Sequence, residues 1–201
     1  MQRDDRIVIP RIIRRAITVK APYAQGFFDL GKPVENRPWP LYKDLLGEWV
    51  AIHVSASPSE WRAFGYTDCL PSTYCLSRNL PHTLACERYV AEHGGMIRSD
   101  ARPPEAGLLI GVVRIVGELK VVSRDADDHD RIAEVDVRTV PTYVNACNAA
   151  AKSDWFTDDF GHVYANATRF KTPVAVPRGN LGYWFLSDEA QAAVTAQLEA
   201  A

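Results

Sequence analysis

From Gly107 to Val122 the chain reads as one unbroken β-rich run: Gly-Leu-Leu-Ile-Gly-Val-Val-Arg-Ile-Val-Gly-Glu-Leu-Lys-Val-Val. Branched and aliphatic residues at this density fit a pleated, buried surface. It is the longest such run in the sequence, and it reads as either one bent strand or a hairpin about Gly117. Other strands must be arranged around it. Arg14–Lys20 is β-branched and breaks at Pro22, while Trp49–Ala56 sets Val50, Ile52 and Val54 against Trp49, Ala51, His53 and Ser55. His162–Lys171 and Gly182–Leu186 complete the set.

The helices are short and lie between or after the strands. Pro22 suits the first position of a helix that stops at Gly31, with Tyr23, Phe27 and Leu30 along one side. Ser57-Pro58-Ser59-Glu60 reads as a capping box for a second helix, and another is expected over about Pro81–His93. Ala146–Lys152 holds helix formers, although Pro141, Asn145 and Asn148 oppose them. Ser187-Asp188-Glu189 opens a last, alanine-rich helix with acids in its first turn. The reading is a mixed α+β domain: one closed, mainly antiparallel β-barrel with peripheral helices and a helical insertion.

A length of 201 residues with 47% hydrophobic content supports one sizeable core. No apolar run approaches the ~20 residues that span a bilayer, and Met1–Arg6 lacks the apolar stretch of a secretory signal. No membrane association and a cytoplasmic location are therefore expected. The net charge of −2 argues against a nonspecific nucleic-acid coat. Its distribution matters more. Residues 161–186 carry Arg169, Lys171 and Arg178 with no acid, whereas residues 118–160 carry ten acids against five bases. A locally basic cleft on an acidic body fits a short stretch of nucleic acid or one nucleotide.

No cofactor or metal is expected. Cys69, Cys75, Cys86 and Cys147 form no Cys-x-x-Cys pair and read as free thiols. A zinc set could be drawn from Cys75, His82, Cys86 and His93, but its spacings are irregular, and core cysteines beside surface histidines are the preferred reading. Asp125–Asp130 lacks the glycine and final Glu of a calcium loop and reads as solvated.

The polar string Gly31-Lys32-Pro33-Val34-Glu35-Asn36-Arg37, followed by Pro38-Trp39, carries the chemistry. If it is extended, Glu35 and Arg37 share a face, and Lys32 enters from the helix end. A cation, an anion, a guanidinium and an indole suit a ligand with phosphate, amide edges and a stackable ring. Upstream stand Lys20 and Pro22-Tyr23-Ala24; downstream stand His53 and Ser55; near the C-terminus runs Pro173–Leu186, with Arg178-Gly179-Asn180 and Tyr183-Trp184. In this order of elements the chain resembles the ASCH domain, a small β-barrel of the PUA-like superfamily with a Gly-x-Lys-x-x-Glu-x-Arg signature. Residues 15–56 and 105–187 carry the likeness. One departure is that the glycine stands at Gly31, beside Lys32, where the family has it one residue earlier.

The resemblance implies an N-terminal arm (1–14), a PUA-like domain (15–187) with an insertion at about 57–105, and a C-terminal helix (188–201). It implies binding of RNA, other single-stranded nucleic acid, or a nucleotide or modified base, by Thr18, Lys20, Tyr23, Lys32, Arg37, Trp39, Ser55 and Arg178 in one cleft. Hydrolysis is the alternative, with Lys32, Glu35 and His53 as catalytic candidates. A similar small enzyme deacetylates acetylcytidine using the signature lysine and a threonine three residues on, but here Glu35 stands at the threonine's place. Other ASCH proteins are ribonucleases. A third reading is a protein-interaction module in transcription or translation regulation, with the acidic 118–160 region as its surface.

Overall fold

The computed structural model describes residues 8–21, 23–56, 105–128 and 131–200. Pro22, the Ser57–Glu60 box, the expected helical insertion and the Cys75, His82, Cys86 and His93 set lie outside the described residues. The strands are β1 (Arg15–Val19), β2 (Val34–Arg37), β3 (Trp49–Val54), β4 (Leu108–Arg124), β5 (Ile132–Thr139), β6 (Phe160–Ala175) and β7 (Tyr183–Phe185). The described α-helices are α1 (Tyr23–Asp29), α2 (Val144–Ala151) and α3 (Asp188–Glu199). None is long and apolar enough to cross a membrane.

The seven strands form one sheet in the order β2-β6-β4-β3-β1-β7, with β5 paired to β4. Every pairing is antiparallel except β1 with β3. The sheet curls strongly into a half-barrel whose terminal strands, β2 and β7, do not pair with each other. Curling follows from β4. This run is a single 17-residue strand, not a hairpin, and its register against β6 slips at Leu109/Gly111, Val112/Arg114 and Ile115/Gly117. Each slip adds twist and bend without ending the strand. Gly117 permits one of them: a Cβ there would come within 2.4 Å of the Cys147 sulfur on α2.

Three apolar clusters hold the sheet. Ile17, Val50, Ile52, Val54 and Ile115 line the concave face with Phe27 of α1. Ala16, Trp49, Ala51 and Val112 on the convex face pack with Val194 of α3 and with Ile13 of the N-terminal arm. Val34, Leu119 and Val163 pack with Cys147 of α2 and with Trp155 and Phe156. Strand β3 is thus buried on both faces, each large aliphatic side chain contributing roughly 1.5–3 kcal/mol. Ser187 caps α3 by accepting from the Ala190 amide.

Candidate binding site at the open seam

The gap between β2 and β7 is bridged by side chains. Helix α1 ends before Gly31, whose φ of +64° favours glycine, and the Lys32 amide donates back to the Gly26 carbonyl at 3.0 Å. This turn folds the Lys32 stem over Gly26 and sends its ammonium inward. There it lies among the rings of Phe27 (4.5 Å), Tyr23 (5.5 Å) and Trp155 (5.8 Å), with its side chain only 1% exposed. It forms an ion pair with Glu35. Burial pulls the Lys32 pKa below its usual value, against the opposing pull of Glu35.

Glu35 holds Arg37 with its other oxygen, at 3.2 Å. The Arg37 guanidinium lies 5.3 Å from the Trp39 ring centroid, and Nη2 donates to the Thr18 carbonyl of β1 at 2.8 Å. Its Nε is buried with no hydrogen-bond partner. Two cations thus share one carboxylate, leaving one net positive charge in the seam.

Glu35 stands opposite His162 in the β2–β6 register. His162 is fully buried, and burial is the main reason its pKa falls to about 4, so its ring is neutral at pH 7. Nε2 faces the Trp39 carbonyl at 3.2 Å and must donate to it, so Nδ1 accepts from the Tyr183 hydroxyl at 2.9 Å. The Tyr164 hydroxyl then donates to that of Tyr183 at 2.7 Å. One directed row therefore runs Tyr164, Tyr183, His162, Trp39. Burial raises the pKa of both tyrosines.

Thr18 connects this seam to a cavity on the convex side. Its carbonyl meets Arg37, while its hydroxyl lies 3.1 Å from Nδ1 of His53, donates to the Asn180 carbonyl at 2.6 Å and accepts from Trp184 Nε1 at 3.1 Å. The cavity, of about 540 Å³, is lined by Thr18, His53, Ser55, Arg178 and Asn180 together with other residues of the 106–108 and 175–181 segments. Gly179 lies directly on the His53 ring; a Cβ there would sit 2.1 Å from Cε1. His53 is 3% exposed, and burial lowers its pKa to about 4. Neither a protein-family model nor a curated protein matches this chain.

The expected site residues therefore fall into two linked groups. Lys32, Glu35, Arg37 and Trp39 meet in the seam, with Tyr23 beneath the ammonium. Thr18, His53, Ser55 and Arg178 meet at the cavity. The two groups do not share one void; Thr18 joins them. Lys20 follows β1 at the surface. Among the described residues no group of three or more His, Cys, Asp or Glu is placed to hold a metal. His162, Tyr164, Gly179, Asn180 and Trp184 were not among the expected site residues. The alternation of His162 and Tyr164 on β6, both on the Glu35 face, was the available signal for two of them.

Proposed function

We propose that this chain is an ASCH-like, PUA-like protein that binds a nucleotide, alone or as one unit of single-stranded RNA, in the cavity beside Thr18. The observation that carries the reading is the cavity itself. Its volume of about 540 Å³ suits a small ligand, Arg178 stands exposed at its rim for phosphate, and Ser55 and Asn180 add polar groups to its lining. The Lys32–Glu35–Arg37 group supports the cavity from behind, fixing the Thr18 carbonyl and supplying a net positive charge. The order of elements and the curled sheet support the family resemblance.

Binding is favoured over hydrolysis because both Glu35 oxygens are engaged by cations, which lowers the carboxylate's value as a general base. Titration of mononucleotides, single-stranded RNA and duplex RNA, followed by fluorescence anisotropy or calorimetry, tests the proposal. Single strands should bind more tightly than duplex. Arg178→Ala and Arg37→Ala should each weaken binding about tenfold or more, the worth of a charge-assisted contact. Arg37→Lys should also lose affinity, because an ammonium cannot span Glu35 and the Thr18 carbonyl as a planar fork does. Equal binding by wild type and variants would shift the reading to protein interaction through the acidic 118–160 region.

A further inference from the structure

A second concavity shares no lining residue with the cavity beside Thr18. It encloses about 820 Å³, and Arg11, Arg14, Arg15 and Arg114 line it against two acids, Asp44 and Glu48. Arg15 pairs with Asp44 at 2.8 Å, and its guanidinium sits 4.7 Å from the centroid of the Phe185 ring. Arg114 is fixed by donation from Nε to the Gly47 carbonyl at 3.0 Å. Arg11 and Arg14 are exposed and form no ion pair among the described residues. Val8, Ile12 and Phe185 are exposed as well and line the same groove. Clustered apolar exposure marks a contact surface, and arginine beside an aromatic ring is a pairing that protein interfaces favour.

The acids in the groove wall narrow the kind of partner. A phosphodiester strand carries a charge on every unit and would meet Asp44 and Glu48 as well as the arginines. A polypeptide surface can instead set acid against Arg11 and Arg14 and an aliphatic side chain against Ile12 and Phe185. This chain carries such a surface. Strands β4 and β5 form an antiparallel hairpin, and Asp127 and Asp128 stand exposed where β4 has ended. Asp125 shapes that turn, its carboxylate accepting from the Asp127 amide at 3.0 Å. Val122, on β4 just before the turn, is 55% exposed. Arg114 at the groove and Val122 at the hairpin are eight residues apart on β4, roughly 25 Å of extended chain. Both patches ride on one sheet, so each copy can offer its hairpin to the groove of the next.

We propose that the Arg11–Arg14 groove of one copy receives the Asp127–Asp128 end of the β4–β5 hairpin of a second copy. The two patches differ, so the contact is head-to-tail and leaves an unused groove at one end and an unused hairpin at the other. It joins exposed charges and therefore weakens as salt rises. It stands apart from the nucleotide reading and does not need it.

Sedimentation velocity of the full chain over a range of concentrations, at about 0.05 M and about 0.5 M ionic strength, tests this. At low salt the sedimentation coefficient should rise with concentration, and at high salt the rise should shrink. Arg11→Ala with Arg14→Ala, and separately Asp127→Asn with Asp128→Asn, should each weaken self-association about tenfold or more. Mixed in equal amounts, the two double variants should recover a dimer and nothing larger. One supplies the intact hairpin and the other the intact groove, and the recovery itself shows that both are folded. A wild type that stays monomeric up to about 1 mM at low salt overturns the proposal. So does association that neither double variant disturbs, or a mixture that stays monomeric or grows past a dimer. Single-stranded RNA is titrated in parallel. RNA binding that the arginine variant loses, with self-association unchanged, overturns the proposal in favour of a nucleic-acid surface.

Discussion

The Thr18 hydroxyl gives its one proton to the Asn180 carbonyl, so Nδ1 of His53, 3.1 Å from that hydroxyl, must be the donor of their hydrogen bond. Trp184 Nε1 supplies a second donor to the same oxygen. The count fixes His53 as the Nδ1–H tautomer and leaves Nε2 a bare acceptor, buried without a partner. Thr18 is accordingly a structural hub and not a nucleophile activated by His53.

Thr18→Val keeps the shape and removes the oxygen. Three groups then lose their partner: the Asn180 carbonyl, His53 Nδ1–H and Trp184 Nε1–H. A loss of roughly 2–4 kcal/mol in urea denaturation is expected, less than the sum because the Asn180 loop reaches water. Thr18→Ser should stay within about 1 kcal/mol of wild type. Equal stability of the Val and Ser variants would dissolve the hub.

Glu35→Gln should be severe. It leaves Lys32, with a side chain 1% exposed, and Arg37 without their shared counter-charge, at a cost of roughly 3–5 kcal/mol. Burial already holds the Lys32 pKa below its ordinary 10.5, and losing Glu35 lowers it further. The unfolded chain then binds the extra proton between the folded pKa and 10.5, so the variant should regain stability as pH rises toward 10.5. Lys32→Met added to Glu35→Gln should recover part of the loss at pH 7. A Glu35→Gln protein within about 1 kcal/mol of wild type would remove the neutralising role.

Acid should unfold the protein through two histidines. Burial holds both His53 and His162 at about 4, against 6.5 for an ordinary imidazole. Between those values the unfolded chain binds more protons than the folded one, so stability rises with pH there. It is complete above about 6.5 and is lost as pH falls toward 4, by up to roughly 3 kcal/mol per histidine. His162→Gln should flatten part of that slope in denaturant titrations at pH 7, 5.5 and 4.5. A wild-type profile already flat over this range would contradict the buried, neutral state of both rings.

Much of the frame was legible because its signals are local. The alternation from Trp49 to Val54, the β-rich run that became β4, the stop at Gly31 and the Ser187 cap each depend on neighbours in sequence. Strand β5 was missed. Val135 and Val137 alternate there, but Glu134, Asp136 and Arg138 between them, and the acidic loop before, read as surface, and β5 is indeed exposed on one face. The hairpin alternative at Gly117 was open because a bulged strand and a turn both use glycine. That Lys32, Glu35 and Arg37 would meet was readable from spacing. That Arg37 would then grip Thr18 was not, since it requires the sheet to curl until β2 faces β1.

The seam has a consequence for how this fold could vary. Everywhere else the half-barrel is joined by backbone ladders, which tolerate almost any side chain that fits the pleat. Between β2 and β7 it is joined by named atoms of Arg37, His162, Tyr183 and Thr18. Substitutions confined to these few positions would widen or tighten the mouth while every strand pairing stays in place. Architecture and access are thus encoded in different parts of the sequence, so a descendant of this chain could change what it admits without changing what it is.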